Sequence, residues 1–344
     1  MTAAIGFLPW QQAQAQSWLA TPERFAHAWL IHGLPGVGQV EFAMAGAASL
    51  LCESPVQGLA CDHCQACRWV RAGNHPDLRR IRPDAVAAQE GAAIDETEAS
   101  GNKKQPSKDI RIEQIRSLLP WFNMATHRGG WRVALLYPAE SLNTIAANAL
   151  LKILEEPPTH TVFLLVADMP DRLLPTLVSR CRRLPLATPG ADQALAWLQD
   201  QGVDQPGARL AAAGGAPLAA LRQARLQQPA LPDCVDQFLR QAGTTEASAP
   251  LADVLLASEP AQWLDSFQRI WLDLSLAARG LPVRYYPDRA DKIQAIAEAA
   301  DPALLARTGQ WLAKQRRLAH HPLNPKLLAD HAAQRLLQAV LPRQ

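Results

Sequence analysis

The chain has 344 residues, 48% of them hydrophobic, a length and apolar content that predict two or three domains, each with its own core. Its formal net charge of +2 is small for this size and excludes a general electrostatic attraction to nucleic acid, so any contact with DNA has to be local or shared with partners. The opening MTAAIGFLPWQQAQAQ has no basic start leading into an apolar run, and nowhere do eighteen apolar residues stand together, so a cytoplasmic chain with neither export signal nor membrane span is expected.

Between residues 28 and 187 short apolar runs alternate with helical patterns, as in a parallel sheet with crossover helices. The predicted strands are Ala28 to His32, Leu78 to Arg82, Arg132 to Tyr137, Thr161 to Ala167 and Arg182 to Leu186. After the first of them, Gly33, Gly36 and Gly38 stand between strand and helix, where a phosphate-cradling loop belongs. Such a loop reads GxxxxGK and then Ser or Thr: glycines let backbone N–H groups approach the phosphates, lysine neutralises charge and the hydroxyl holds Mg²⁺. Here Gln39 occupies the lysine position and Val40 the hydroxyl position. Gly33, Gly36, Gly38 and Gln39 thus read as a degenerate nucleotide loop that does not bind ATP.

Four of the six cysteines, Cys52, Cys61, Cys64 and Cys67, crowd into the next segment, while Cys181 and Cys234 stand alone. In a reducing compartment such spacing favours metal over disulfides, and four thiolates suit a closed, structural Zn²⁺ site with no position for catalytic water. Three other assignments stay open: an iron–sulfur cluster, although the closing Cys-Pro of ferredoxin runs is missing; His63 in place of one thiolate; and free core cysteines.

Residues 83 to 108 carry little apolar periodicity and read as a long, mobile insertion. The third strand then runs VALLYPAESLN, with Tyr137 and Pro138 where an ATPase of this kind carries carboxylates, and Glu140 as a stray surface acid. In the following helix Ile145, Ala149, Leu150, Ile153 and Leu154 form one apolar face, Lys152, Glu155 and Glu156 are solvated, and Pro157-Pro158 stops the helix. Beyond Pro189 the β-type runs vanish; the remainder is predicted all-α, with breaks at Ala213 to Pro217 and Gln227 to Pro232, and Trp263 and Trp271 at core spacing. On spacing alone Arg180 is an ordinary solvated arginine beside Arg182 and Arg183.

Taken in chain order, PWQ at Pro9 to Gln11, HAWLIHG before the loop, the four-cysteine insertion, NALLKILEEPP at Asn148 to Pro158, LLPTLVSRC at Leu173 to Cys181 and NPKLL at Asn324 to Leu328 resemble the delta prime family of bacterial DNA polymerase III clamp-loader subunits. The resemblance covers nearly the whole chain. It implies an α/β fold: a P-loop AAA+ parallel-sheet module over residues 1–187 with a zinc-binding insertion near 52–67, a small helical lid over 188–226, and an all-α collar domain over 227–344 through which subunits form a ring. It also implies a chain that does not hydrolyse ATP itself and is catalytically inactive as an ATPase, yet belongs to the polymerase holoenzyme. Its partners would be the gamma/tau motor subunits, the clamp-opening delta subunit, the sliding clamp and, through the complex, primed DNA. The likeness further implies that Arg180, in Ser179-Arg180-Cys181, is an arginine finger offered in trans to ATP on a neighbouring motor subunit, and that Ala213 to Leu221 corresponds to the segment carrying a nucleotide-sensing arginine in active relatives, with Pro217 near that position. Two other readings of the residues compete: an active P-loop ATPase that recruits an unconventional cation, and a zinc-dependent nucleic-acid-binding module.

Overall fold

The five apolar runs pair into one parallel sheet: β1 (Ala28–Gly33), β2 (Leu78–Ile81), β3 (Arg132–Leu136), β4 (Thr161–Ala167) and β5 (Arg182–Leu186), in the order β2-β3-β4-β1-β5. β3 and β4 are buried at every position, as central parallel strands covered on both faces require. The computed structural model describes residues 6–20, 25–91, 106–127, 130–244, 248–318 and 324–342. The chain divides into two units, 1–189 and 190–344. Among the described residues no helix is long and apolar enough to cross a membrane.

Around the sheet of the first unit lie α1 (Gln12–Leu19), α2 (Gln39–Leu51), α3 (Gln65–Ala72), α4 (Asp84–Gln89), α5 (Ile112–Arg116), α6 (Leu118–Phe122), α7 (Thr144–Glu155) and α8 (Pro175–Val178). α7 starts where the Asn143 side chain accepts the Ala146 amide at 2.8 Å and stops ahead of Pro157-Pro158, which cannot continue a helix. Its buried stripe is Ala146, Ala147, Leu150 and Leu154, packed with Leu30, Leu136, Phe163 and Leu165. The predicted apolar face was therefore offset. Ile145 is 64% exposed, and Ala149 and Ile153 are only half-buried. Those three side chains line an open apolar groove of about 410 Å³ beside α5, because the small pair Ala146-Ala147 lets the other side of the helix approach the sheet more closely.

The insertion predicted as mobile from 83 to 108 is partly helical. α4 covers Asp84–Gln89, the Ala85 amide donates to the Ser107 carbonyl at 3.0 Å, and Glu90 takes an ion pair from Arg82 and a hydrogen bond from the Tyr137 hydroxyl. Buried partners hold a segment whose own composition is weak; residues 92–105 of the same insertion lie outside the described residues.

The second unit contains α9 (Ala191–Asp200), α10 (Pro206–Ala212), α11 (Pro217–Arg225), α12 (Asp233–Gln241), α13 (Ala249–Leu256), α14 (Pro260–Ala277), α15 (Ala290–Ala299), α16 (Pro302–Leu318) and α17 (Pro325–Gln338). Its described residues form no strand. Two apolar clusters are distinguished within it: a small one joining α9, α10 and α11 through Ala194, Leu198, Leu210 and Ala220, and a larger one across α12 to α17 that also takes in Ala212 at the end of α10. Trp263 and Trp271 belong to the larger cluster, Trp271 also donating Nε1–H to the Leu305 carbonyl at 2.8 Å.

One buried charge organises the chain beyond α14. Asp273 is fully buried, and its carboxylate accepts the backbone amides of Arg284, Tyr285 and Tyr286 at 2.7 to 3.1 Å. Asp273→Ala would strand three amides in the interior and is expected to cost at least about 3 kcal/mol, with Asp273→Asn falling between it and the parent. Urea unfolding of the full chain, followed by tryptophan fluorescence, measures the loss.

Candidate functional site

β1 delivers the chain to Gly33 at the carboxyl end of the sheet, and α2 starts at Gln39. The connecting turn needs glycine at two positions, since Gly36 and Gly38 have φ of 91° and 95°. Gly33 is confined for a different reason: a Cβ there would stand 3.0 Å from the Leu186 carbonyl oxygen of the neighbouring strand. The loop thus has the backbone form of a phosphate cradle at a helix N-terminus.

Its interior is taken by a side chain. Gln39 is 4% exposed, and its Nε2 lies 3.1 Å from the Gly33 carbonyl, 3.0 Å from that of Leu34 and 2.9 Å from Asp168 Oδ1. All three partners are acceptors, so the NH₂ end of the amide must point at them. From outside, Trp10 Nε1 donates to the Val37 carbonyl at 3.0 Å, and Gln11 Nε2 donates to the carbonyls of Val37 and Gly38 at 3.1 and 2.8 Å. Six side-chain hydrogen bonds, five of them to loop carbonyls, therefore fix the turn, and none of the described side chains bonded to it is a cation.

The two acids beside the loop are of the wrong sign for a phosphate. Asp168 follows β4, and its amide donates at 3.1 Å to Glu140, which follows β3. Glu140 is half-buried, and its second carboxylate oxygen is enclosed without a hydrogen-bond partner, which corrects the expectation of a stray surface acid. The chain just after β4 reaches it through the Asp168 amide. Tyr137 is buried and hydrogen-bonded to Glu90, away from any role as a metal ligand. His32, just before the loop, has its pKa lowered by burial and then by the charge of Arg183, so it stays neutral near pH 7. Val40 offers no oxygen.

The cysteines converge. The sulfurs of Cys52, Cys61, Cys64 and Cys67 all lie within 4.8 Å of one another, a group that can hold one metal ion. The amides of Cys61, Cys64 and Cys67 point at the sulfurs of Cys52, Cys61 and Cys64 at 3.3 to 3.4 Å, so the backbone already stabilises thiolates. Cys64 caps α3, and Ala66, Cys67 and Val70 anchor that helix in the interior. His63 turns out of the cluster: it is exposed and donates Nδ1–H to the Cys61 carbonyl at 2.7 Å. Cys181 is separate and buried, its pKa pushed up to about 12 by that burial, so it is an inert thiol.

Arg180 stands at the other end of the sheet from the glycine loop. β5 runs parallel to β1 with Arg182 opposite Trp29 and Leu186 opposite Gly33, and Arg180 precedes β5. At roughly 3.3 Å per residue the level of Arg182 is about 13 Å from that of Gly33, and Arg180 lies further back still. Its guanidinium donates Nη1–H to the Thr176 carbonyl at 3.0 Å and pairs through Nη2 with Glu155. The structure therefore brings the loop residues together, brings the four cysteines together, and keeps Arg180 apart from both. Sequence reasoning missed Asp168, Trp10 and Gln11 as loop partners. Asp168 carried one signal, an acid directly after an apolar strand; PWQ was visible as a motif but without a role.

A parallel sheet in this order, with a glycine loop after β1 and a helical region following, is the architecture of an AAA+ protein. The family model described as "DNA polymerase III, delta subunit" matches residues 11–190. The chain is 34% identical to DNA polymerase III subunit delta' of Pseudomonas aeruginosa over 90% of each chain, and 32% identical to that of Yersinia pestis over 93% of this chain and 90% of the relative. With the corresponding Escherichia coli subunit it shares 34% identity over 62% of this chain and 59% of the relative. The chain belongs to the DNA polymerase III delta prime family.

Gln39→Ala tests the amide inside the loop. It removes the shared donor from two loop carbonyls and Asp168, and is expected to lower stability by about 1–3 kcal/mol, read as a fall in thermal midpoint. Gln39→Leu, of similar size but without the amide, should lose nearly as much, whereas a loop held by packing alone would tolerate it.

Proposed function

We propose that this chain is a non-hydrolysing member of the clamp-loader ring that serves ATP turnover on a neighbour. The observation that carries the reading is the Gln39 amide bonded to the loop's own carbonyls and to Asp168, which leaves the phosphate position without a cation. A triphosphate entering there meets Asp168 and Glu140 in place of lysine. At an effective dielectric near 20, one like charge about 5 Å away costs roughly 3 kcal/mol. Phosphoryl transfer needs charge neutralisation and a metal-holding hydroxyl, and Gln39 and Val40 supply neither.

Arg180 is the group this chain contributes. It lies off the opposite end of the sheet from its own loop, which supports a target on another subunit. The site it would reach is ATP on a motor subunit of the gamma/tau type; the tau subunit of Escherichia coli is 32% identical to this chain over 49% of this chain and 23% of the tau subunit. The other partners under this reading are the clamp-opening delta subunit, the sliding clamp and primed DNA reached through the complex, in the cytoplasm. Residues 188–226 would act as the lid and 227–344 as the ring-forming collar, a division supported by the two distinct apolar clusters.

Two experiments test this. Arg180→Ala in the reconstituted complex is expected to keep assembly intact by native mass while slowing clamp- and DNA-stimulated ATP turnover, by up to about 10³-fold at the one motor site served. An unchanged rate would remove the finger. Tight Mg²⁺-dependent binding of labelled ATP to the isolated chain would instead favour an active ATPase.

The four-cysteine group fits a structural Zn²⁺, which would be held by Cys52, Cys61, Cys64 and Cys67 with no open position. Its contribution is cross-linking of the 52–67 segment, on the order of 10 kcal/mol for small cysteine sites. One zinc per chain is expected by elemental analysis. Its removal should raise hydrogen exchange across residues 52–72 while β3 and β4 stay protected; unchanged exchange there would leave the metal without a structural role.

A further inference from the structure

Two motifs that stand twenty-five residues apart in sequence meet at one contact. Glu155, the last residue of α7 in LEEPP, pairs with Arg180 of Ser179-Arg180-Cys181. On periodicity both residues were solvated; in the fold each is the other's partner. The arginine is held at two points, since Nη1 also donates to the Thr176 carbonyl in α8. A carboxylate from the end of α7 and a backbone carbonyl of α8 thus face the same guanidinium.

We propose that Glu155 is a positioning residue for Arg180, a role that rests on the reading of Arg180 as a finger in trans. Two effects of such a pair can be compared. It could withhold the arginine from a neighbour's triphosphate, or it could hold the guanidinium extended so that little side-chain freedom is lost on engagement. Magnitude decides between them. The side chains of Arg180 and Glu155 are 36% and 50% exposed, and exposed pairs of this kind are weak, typically worth less than about a fivefold change in an equilibrium. An arginine finger is worth about 10³ to 10⁵ in rate, so a bond this weak cannot keep it from its target. It is strong enough to bias the rotamers of a side chain that otherwise loses considerable freedom on being fixed. Arg180 also keeps donors to spare: with one N–H given to Thr176 and one to Glu155, three of its five remain for phosphate oxygens.

The test is a double-mutant cycle in the complete reconstituted complex, with assembly checked by native mass. Glu155→Ala should lower kcat for clamp- and DNA-stimulated ATP hydrolysis about three- to fivefold with KM for ATP unchanged, because the loss falls on the transition state. Glu155→Gln, which keeps an acceptor oxygen at the same reach, should recover part of the rate. The pair Glu155→Ala/Arg180→Ala should be no slower than Arg180→Ala alone. If Arg180→Ala slows hydrolysis but Glu155→Ala leaves kcat unchanged, or the two losses multiply, Glu155 does not act through Arg180. A rise in kcat on Glu155→Ala would mean that the pair withholds the arginine and would also overturn the proposal. If Arg180→Ala itself has no effect, the finger reading fails, and that outcome is visible separately in the same cycle.

Discussion

A single carboxamide determines what the loop after β1 can do. The Gln39 NH₂ group satisfies two loop carbonyls and the Asp168 carboxylate at 2.9 to 3.1 Å, so the turn is complete without a ligand. In a working phosphate loop the corresponding ammonium is left with unspent donors that only a phosphate satisfies. Here those bonds are made within the chain. A neutral donor also tolerates the nearby acids of Asp168 and Glu140 without being able to balance an added polyanion. Trp10 and Gln11 bond two other loop carbonyls, those of Val37 and Gly38, which ties residues 10 and 11 to the geometry of the loop.

Much of the fold was legible in the sequence. All five strands fell where they were predicted; β1, β3 and β4 are interior strands whose near-continuous apolar residues leave a strong local mark, whereas the edge strands β2 and β5 mix apolar residues with exposed arginines. The glycine loop and the cysteine cluster were legible for the same reason: spacing alone fixes which atoms can converge. What was missed depends on packing between elements. The buried face of α7 slipped by about one stripe because Ala146 and Ala147, weak in any hydrophobic count, permit the closest approach to the sheet. α4 escaped notice because the groups that hold its two ends, Ser107 on the Ala85 amide and Tyr137 on Glu90 just after the helix, are distant in sequence.

The candidate site divides along the same line. Gln39 and Val40 could be read as losses from a pattern, but sequence could not reveal that Gln39 turns inward and takes over the loop. Glu140 looked like a surface acid because nothing local buries it; the residues that enclose it arrive from the end of β4. Glu155 looked solvated because helical periodicity places it on an outer face, and its partner lies beyond the next strand. In each case the missing information was a tertiary partner for a polar group.

The polarity of the sheet has a consequence for assembly. All strands run the same way, so one rim carries the glycine loop with the Gln39 amide bonded into it and the opposite rim carries Arg180. Subunits joined head to tail pass such a group from each member to the next, and every member of a uniform ring would both give and receive. A protomer that gives at one rim and is closed at the other breaks that equivalence. Under the proposed reading it sets a terminus, so a circuit containing it has a fixed first step and cannot fire in an arbitrary order.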